Sequence, residues 1–236
     1  MIDTVLFDWG GTLSVFVDIE MADMWRVAAK HLAAGSDPLR EDEIRALLVE
    51  VEADAWAALA VDQRSFTLAQ LLARASDALH LDVAAAVIEE ASQSHLDAWT
   101  PHIRHDPDAQ AVLATLKDRG LKIGLLSNTH WPRDFHEHFL DRDGLADYID
   151  VRVYTSELTH CKPHPSAFGA VLEAVGSSAA TAVFVGDRAY DDIYGAQQSG
   201  MRAILRPNPM VPGYDVDPDA VIGPLPELLE VLDRWA

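Results

Sequence analysis

Five short segments decide what this chain can become: Ile2–Asp8, Leu121–Ser127, Asp150–Thr155, Ala182–Asp187 and Met201–Arg206. Each is rich in Val, Ile and Leu, and none alternates strictly between apolar and polar residues. A strand with one wet face alternates, whereas a run that is apolar throughout suits a strand buried on both faces of a parallel sheet. Parallel strands need crossovers, and the intervening segments read as helices. Asp108–Arg119 carries Ala111, Val112 and Leu116 at helical spacing and stops at Gly120. Pro165–Val175 stops at Gly176, and Asp192–Ser199 stops at Gly200. Glycine just past a helix is a usual stop signal. Strand, helix, strand in repetition predicts an α/β fold: a doubly wound, Rossmann-like parallel sheet with right-handed crossovers.

The first connection breaks the pattern. From Leu13 to Trp99 there is almost no strand signal, only Ala-rich amphipathic segments over about 18–34, 41–60, 66–79 and 83–99. In "EDEIRALLVEVEADAWAALA", Ile44, Leu47, Leu48, Val51 and Ala55 share one stripe. Roughly 80 helical residues after one strand is far more than an ordinary connection. The expectation is an inserted all-helical cap, 16–99, over a core formed by 1–15 and 100–236, with hinges near Ser14–Asp18 and Thr100–His105. The tail reads as a Pro/Gly loop, a short apolar stretch at Ala220–Ile222 and a closing helix from Leu225, with no evident chemistry.

Composition narrows the partners. The 236 residues are 49% hydrophobic, ample for a packed core, and the formal net charge is −20. So acidic a surface repels phosphate backbones and anionic lipid heads, which argues against nucleic-acid and membrane partners. Cys161 is the single cysteine, no basic-then-apolar leader precedes Phe7, and no apolar run approaches spanning length. The expected setting is the cytoplasm. Nothing in the sequence fixes an oligomeric state.

In open α/β sheets, ligands bind beyond the carboxyl ends of the strands. Those ends carry Asp8, then Gly10-Gly11-Thr12; Ser127 and Asn128; Lys162 in "HCKPHPSAF"; and Asp187, Asp191 and Asp192 in "VFVGDRAYDDIYGA". Singly, each is ordinary turn or cap chemistry. Gathered on one edge, they suit a magnesium-assisted phosphoryl site, with hard oxygens for a cation and a hydroxyl and an amine for phosphate oxygens.

With "DWGGT", "SN", "KPHP" and "GDRAYDD" in that order, the chain resembles the haloacid dehalogenase-like hydrolases along essentially its whole length. The resemblance implies that Asp8 is a nucleophile that forms an aspartyl-phosphate, which water then hydrolyses. It implies that Lys162 holds Asp8 and the phosphoryl oxygens and that Ser127 donates to the phosphoryl group. Asn128, Thr12 and Arg188 are the expected substrate contacts. Mg2+ is the expected cofactor, on Asp8, Asp187, the Gly10 carbonyl and Asp192, with Asp192 ordering or completing the site. The expected partner is a small phosphorylated molecule.

One position departs from the pattern. Phosphatases of this family carry a second aspartate two residues after the first, and this chain has Gly10. That acid protonates the leaving oxygen, a contribution typically worth 10²–10⁴-fold. Its loss should hurt alkoxide leaving groups most and acyl or aryl phosphates least. Three alternatives stay open: carbon–halogen cleavage, carbon–phosphorus cleavage with a cap lysine, and a catalytically weak ligand-binding member. The acidic fourth motif argues against the first. For the second, Lys30 is the only lysine of the predicted cap and reads as a solvated side chain. His130, His164 and Asp18 are candidates to replace the acid, although surface loop histidines and a helix cap are the plainer readings. His136 and His138 lie two apart and point to different helix faces, so they do not form a metal pair. Cys161 reads as an inert small residue.

Overall fold

The computed structural model describes residues 1–17, 20–35 and 37–236; Asp18, named above as a candidate acid, lies outside them. The elements in chain order are β1 (Thr4–Phe7), β2 (Ser14–Phe16), α1 (Met21–Ala34), α2 (Glu41–Ala58), α3 (Leu68–Ala78), α4 (Ala85–Trp99), β3 (Ile103–His105), α5 (Ala109–Asp118), β4 (Lys122–Ser127) and α6 (Arg133–Arg142). Then come β5 (Val151–Tyr154), α7 (Pro165–Val175), β6 (Ala182–Gly186), α8 (Gly195–Gln198), β7 (Arg202–Leu205), β8 (Ala220–Val221) and α9 (Glu227–Trp235).

Six strands form one parallel sheet in the order β5-β4-β1-β6-β7-β8. All five predicted strands are present. The sixth, β8, comes from the apolar stretch of the tail. The absence of alternation has the expected cause, since every residue of β1 and β6 is buried. Successive side chains go to opposite faces. Val5, Phe7, Ile123, Leu125, Val183 and Val185 join one core with α5, α6 and α9. Leu6, Leu126 and Phe184 join another with α7 and the segment around Ile193.

The chain winds outward from β1 on one side through β4 and β5, then returns to β6 and winds outward on the other. The strand order reverses between β1 and β6, the switch point at which a ligand crevice opens. Asp8 follows β1 directly and Asp187 follows β6 directly. Phe7 pairs with Leu125 and Val185, so the three strand ends lie side by side.

Helices α1–α4 form the insertion and pack mainly on one another, α1 against both α2 and α4. Thr67 starts α3 with a capping box, its hydroxyl accepting from the Gln70 N–H while the Gln70 side chain accepts from the Thr67 N–H. The flanking segments, expected as plain hinges, instead pair as a short antiparallel ribbon, β2 with β3. Only three residues per strand are involved, too few for alternation to show. The helix expected at Asp192 starts earlier, as a wide π-helical turn over Ala189–Tyr194 that leads into α8.

Candidate active site

Lys162 organises the crevice. Its Nζ lies 2.7 Å from Asp8 Oδ1 and 2.7 Å from Asp192 Oδ1, and it donates to the Leu126 carbonyl at 2.9 Å. All three side chains are buried. Burial works against the ammonium, but Asp192 and Asp8 outweigh it and raise its pKa. The lysine therefore remains charged. Asn128 clamps the lysine loop from both directions: its Nδ2 donates to the Lys162 carbonyl at 2.9 Å and its Oδ1 accepts from the Lys162 N–H at 2.8 Å. The amide expected on substrate thus also holds Lys162 in place.

Carboxylates outnumber cations here. Oxygens of Asp8, Asp187 and Asp192 lie within 4.8 Å of one another. Burial pushes Asp8 up to about 7, against the pull of Lys162 and with help from Asp192 and Asp187. Asp187 rises to about 6, through burial and then Asp192. Asp191 also rises to about 6 for the same two reasons. Asp187 Oδ2 accepts from Asn208 at 2.8 Å, while its Oδ1 is buried without a hydrogen-bond partner. A hard divalent cation with oxygen ligands fits such a cluster, because it offsets the surplus negative charge and uses the orphaned oxygen. Asp192 has both oxygens engaged, Oδ1 by Lys162 and Oδ2 by the Arg188 N–H at 2.9 Å. Gly186 makes this possible, since a Cβ there would lie 2.3 Å from Asp192 Oδ2. Gly11 is equally constrained: its φ is +82° and a Cβ would lie 2.0 Å from Asp187 Oδ2.

A cavity of about 280 Å³ opens beside this cluster. Asp8, Gly10, Ser127, Asn128, Lys162, Arg188 and Asp191 form its polar side. The other side is aromatic: Trp9, Phe16, Trp56, Trp99 and Trp131, with His130, His136 and Glu52. Thr12 is fully buried and does not reach the wall, and its Oγ1 has no partner. Arg188 does reach the wall, half exposed and 3.6 Å from Asp191. Lys30 is exposed, and Lys162 is the only lysine on the cavity wall among the described residues. His164 caps α7, accepting from the Ser166 N–H at 3.1 Å. Cys161 is buried, and burial pushes its thiol up to about 11, so it is inert. His136 is buried and His138 is exposed, as their spacing requires.

His130 is neither exposed nor a loop-surface residue. It is 4% exposed, stacks on Phe66 at 5.8 Å, and neither ring nitrogen has a hydrogen-bond partner. Glu52 of α2 lies opposite. Its Oε2 accepts from Trp25 Nε1 at 2.7 Å and its Oε1 is 3.8 Å from His130 Nε2. Burial raises the Glu52 pKa against hydrogen bonds from Trp25 and Trp56. The sequence carried a signal for Glu52, since it stands four residues after Leu48 on the apolar stripe of its helix. It carried none for Asn208, a loop residue between two prolines.

Comparison with known proteins agrees with the motifs. The family model for haloacid dehalogenase-like hydrolases matches residues 2–200, and the chain belongs to that family. It is 32% identical over 148 residues to the glyceraldehyde 3-phosphate phosphatase of Pyrococcus furiosus, a match that spans 56% of each chain. It is 31% identical over 163 residues to the phosphoglycolate phosphatase of Rhodospirillum rubrum, spanning 66% of this chain and 65% of that one. Among solved structures, a 2-haloacid dehalogenase from Pseudomonas syringae superposes over the whole of both chains with a TM-score of 0.69 and 28% identity. A phosphatase from Thermococcus onnurineus superposes over 98% of both, with a TM-score of 0.64 and 26% identity.

Proposed function

We propose that this chain is a magnesium-dependent phosphatase for a small phosphorylated molecule, acting through an aspartyl-phosphate on Asp8, and that residues 16–99 cap a core formed by 1–15 and 100–236. The observation that carries the reading is Lys162 Nζ held between Asp8 and Asp192 at 2.7 Å each, beside the unpartnered Asp187 Oδ1.

Asp8 and Asp187 would hold Mg2+, with the Gly10 carbonyl, and the ion would neutralise charge on the transferring phosphoryl oxygens. Lys162 favours the ionised form of Asp8 against burial and aims it, and its remaining donor capacity serves a phosphoryl oxygen. Ser127, at the end of β4, supplies a hydroxyl to the same group. Asp8 attacks phosphorus, and the leaving oxygen departs with the bonding electrons. Water then attacks the same phosphorus and releases phosphate. Asp192 positions Lys162 and would complete the carboxylate set around the ion. The aromatic wall shields the reacting oxygens from bulk water, which strengthens each of these charge contacts.

The aromatic cavity also favours a second reading, displacement of halide from a 2-haloacid by Asp8. That chemistry needs no cation, and it leaves the surplus of carboxylates without a purpose. Phosphate and halide release from ester, acyl phosphate and 2-haloacid substrates, with and without Mg2+, separates the two. Magnesium-dependent phosphate release that disappears in Asp8→Asn supports the phosphatase. Metal-independent halide release overturns it. Turnover of no substrate, with Mg2+ still bound, would mark a ligand-binding member.

A further inference from the structure

Gly10 and the aromatic wall are linked. A Cβ on Gly10 would point at the Phe16 ring, 3.4 Å from its Cε2 and Cζ. The space where a side-chain acid would sit is therefore lined by an aromatic edge. Phe16 also meets Trp9 at 6.1 Å and 70°, Trp99 at 5.6 Å and 72°, and Trp131 at 6.2 Å and 87°. Trp99 and Trp131 also meet, at 4.9 Å, and edge-to-face contacts of this kind fix the rings into one rigid apolar wall of the cavity. The cavity has one polar end, lined by Glu52 and by buried His130, whose ring nitrogens have no hydrogen-bond partner. Buried polar atoms are normally hydrogen-bonded, so the bare imidazole marks where a ligand's polar group belongs.

Leaving-group chemistry selects the ligand. With no side-chain donor at residue 10, a leaving oxygen that is stable as an anion departs most readily. A phenol has a pKa of about 10, whereas an alkoxide is nearly as basic as hydroxide, with a conjugate acid near about 15.7. A cavity with a flat apolar wall and no side chain at residue 10 suits the first better than the second.

We infer that the substrate is the monophosphate of a flat aromatic hydroxyl compound, its ring packed against the wall formed by Phe16, Trp99 and Trp131 and a polar ring substituent directed toward Glu52 and His130. The inference rests on the phosphatase reading above. In the transfer the Asp8 carboxylate forms a bond to phosphorus as the bond from phosphorus to the aryl oxygen breaks. The electron pair leaves on the phenolate, which takes its proton from solvent. Water attack on the aspartyl-phosphate then releases phosphate and restores the carboxylate.

The test uses the full chain with Mg2+ and a graded set of phosphates: 4-nitrophenyl, phenyl, 4-hydroxyphenyl, glycerol 2-phosphate, phosphoethanolamine and acetyl phosphate. The aryl esters should exceed the alkyl esters in kcat/KM by 10²-fold or more, with a steep fall as the leaving-group pKa rises. Trp99→Leu should lower kcat/KM for the aryl esters at least tenfold more than for acetyl phosphate. By titration calorimetry, phenylphosphonate should bind at least tenfold more tightly than methylphosphonate, and Trp99→Leu should remove that preference. Alkyl esters turned over as fast as aryl esters would overturn the inference while leaving the phosphatase intact, and so would a preference for phosphoethanolamine. Absence of Asp8-dependent phosphate release from every substrate, acetyl phosphate included, would instead overturn the phosphatase reading beneath it.

Discussion

The Cβ that Gly10 lacks would lie in ordinary van der Waals contact with Phe16, 3.4 Å from two of its ring carbons. Glycine at this position and phenylalanine at the rim of the cavity are therefore one arrangement: the missing side chain leaves room that the ring borders. A Cβ alone fits, but a carboxylate beyond it needs the ring to turn. Gly10→Asp alone should raise turnover of glycerol 2-phosphate only modestly. Gly10→Asp combined with Phe16→Ala should raise it by roughly 10²-fold or more, within the usual range for a general acid. Steady-state kinetics on the two single variants and the pair checks this. A pair no faster than the parent would show that the proton comes from elsewhere.

Lys162 is held by two buried carboxylates, and among the described residues neither has another cation as close. Removing one partner of a buried ion pair commonly costs about 3–5 kcal/mol, because the charge left behind is unpaired. Lys162→Met should therefore lower unfolding stability by about 3 kcal/mol in metal-free buffer, and adding Asp192→Asn should restore part of it. Urea unfolding of the three proteins measures both effects. A loss below about 1 kcal/mol in the single variant would mean that the carboxylates already share a proton.

Gly11 and Asp187 make a sharper test of the cation. Any Cβ at residue 11 would overlap Asp187 Oδ2, and the φ of +82° is itself unfavourable for alanine. Gly11→Ala must push the Asp187 carboxylate aside. In the parent chain, Mg2+ at 100 times its Kd should stabilise the fold by about 2.7 kcal/mol, seen as a rise in Tm. Gly11→Ala and Asp187→Asn should lose most of that rise while still unfolding cooperatively. An undiminished Mg2+ shift in both would place the ion at another site.

These residues differ in how far the sequence reveals them. Asp8, Ser127 and Asp187 are legible because each ends an apolar run, and the parallel sheet carries every such end to one edge. Lys162 is legible only through its motif, since no strand ends there. The burial of Glu52, His95 and His130 was not legible, for a physical reason. Polar residues on an amphipathic helix or in a loop default to solvent, and only tertiary packing of α1, α2 and α4 against the loop after β4 buries them. Asn208 depends on the same kind of contact, reaching Asp187 from a distant loop. Asn128 lines the cavity as a substrate contact would, and it also pairs with the Lys162 backbone, a link between two loops that neither loop sequence specifies.

His95 shows how such hidden burial becomes measurable. Its Nδ1 faces the Met24 carbonyl at 3.1 Å and its Nε2 accepts from Trp99 Nε1 at 3.0 Å, which fixes a neutral ring stacked on Trp25 at 3.9 Å. A second proton would have to sit on Nε2, against the indole N–H. Burial accordingly lowers its pKa to about 4, from the ordinary 6.5. Between those values the unfolded chain binds the proton and the folded chain does not, so this residue's contribution to stability falls as pH drops through 6.5 and levels off near 4. From pH 7 to pH 5 the loss is about 2 kcal/mol for this one histidine. The raised carboxylates of Asp8, Asp187 and Asp191 act with the opposite sign. The histidine term is therefore read as a difference between proteins. His95→Gln keeps a donor and an acceptor but cannot titrate, and its stability relative to the parent should improve by about 2 kcal/mol on going from pH 7 to pH 5. Urea unfolding at both pH values measures this, and a pH-independent difference would mean that His95 takes up its proton in the fold as readily as in the unfolded chain.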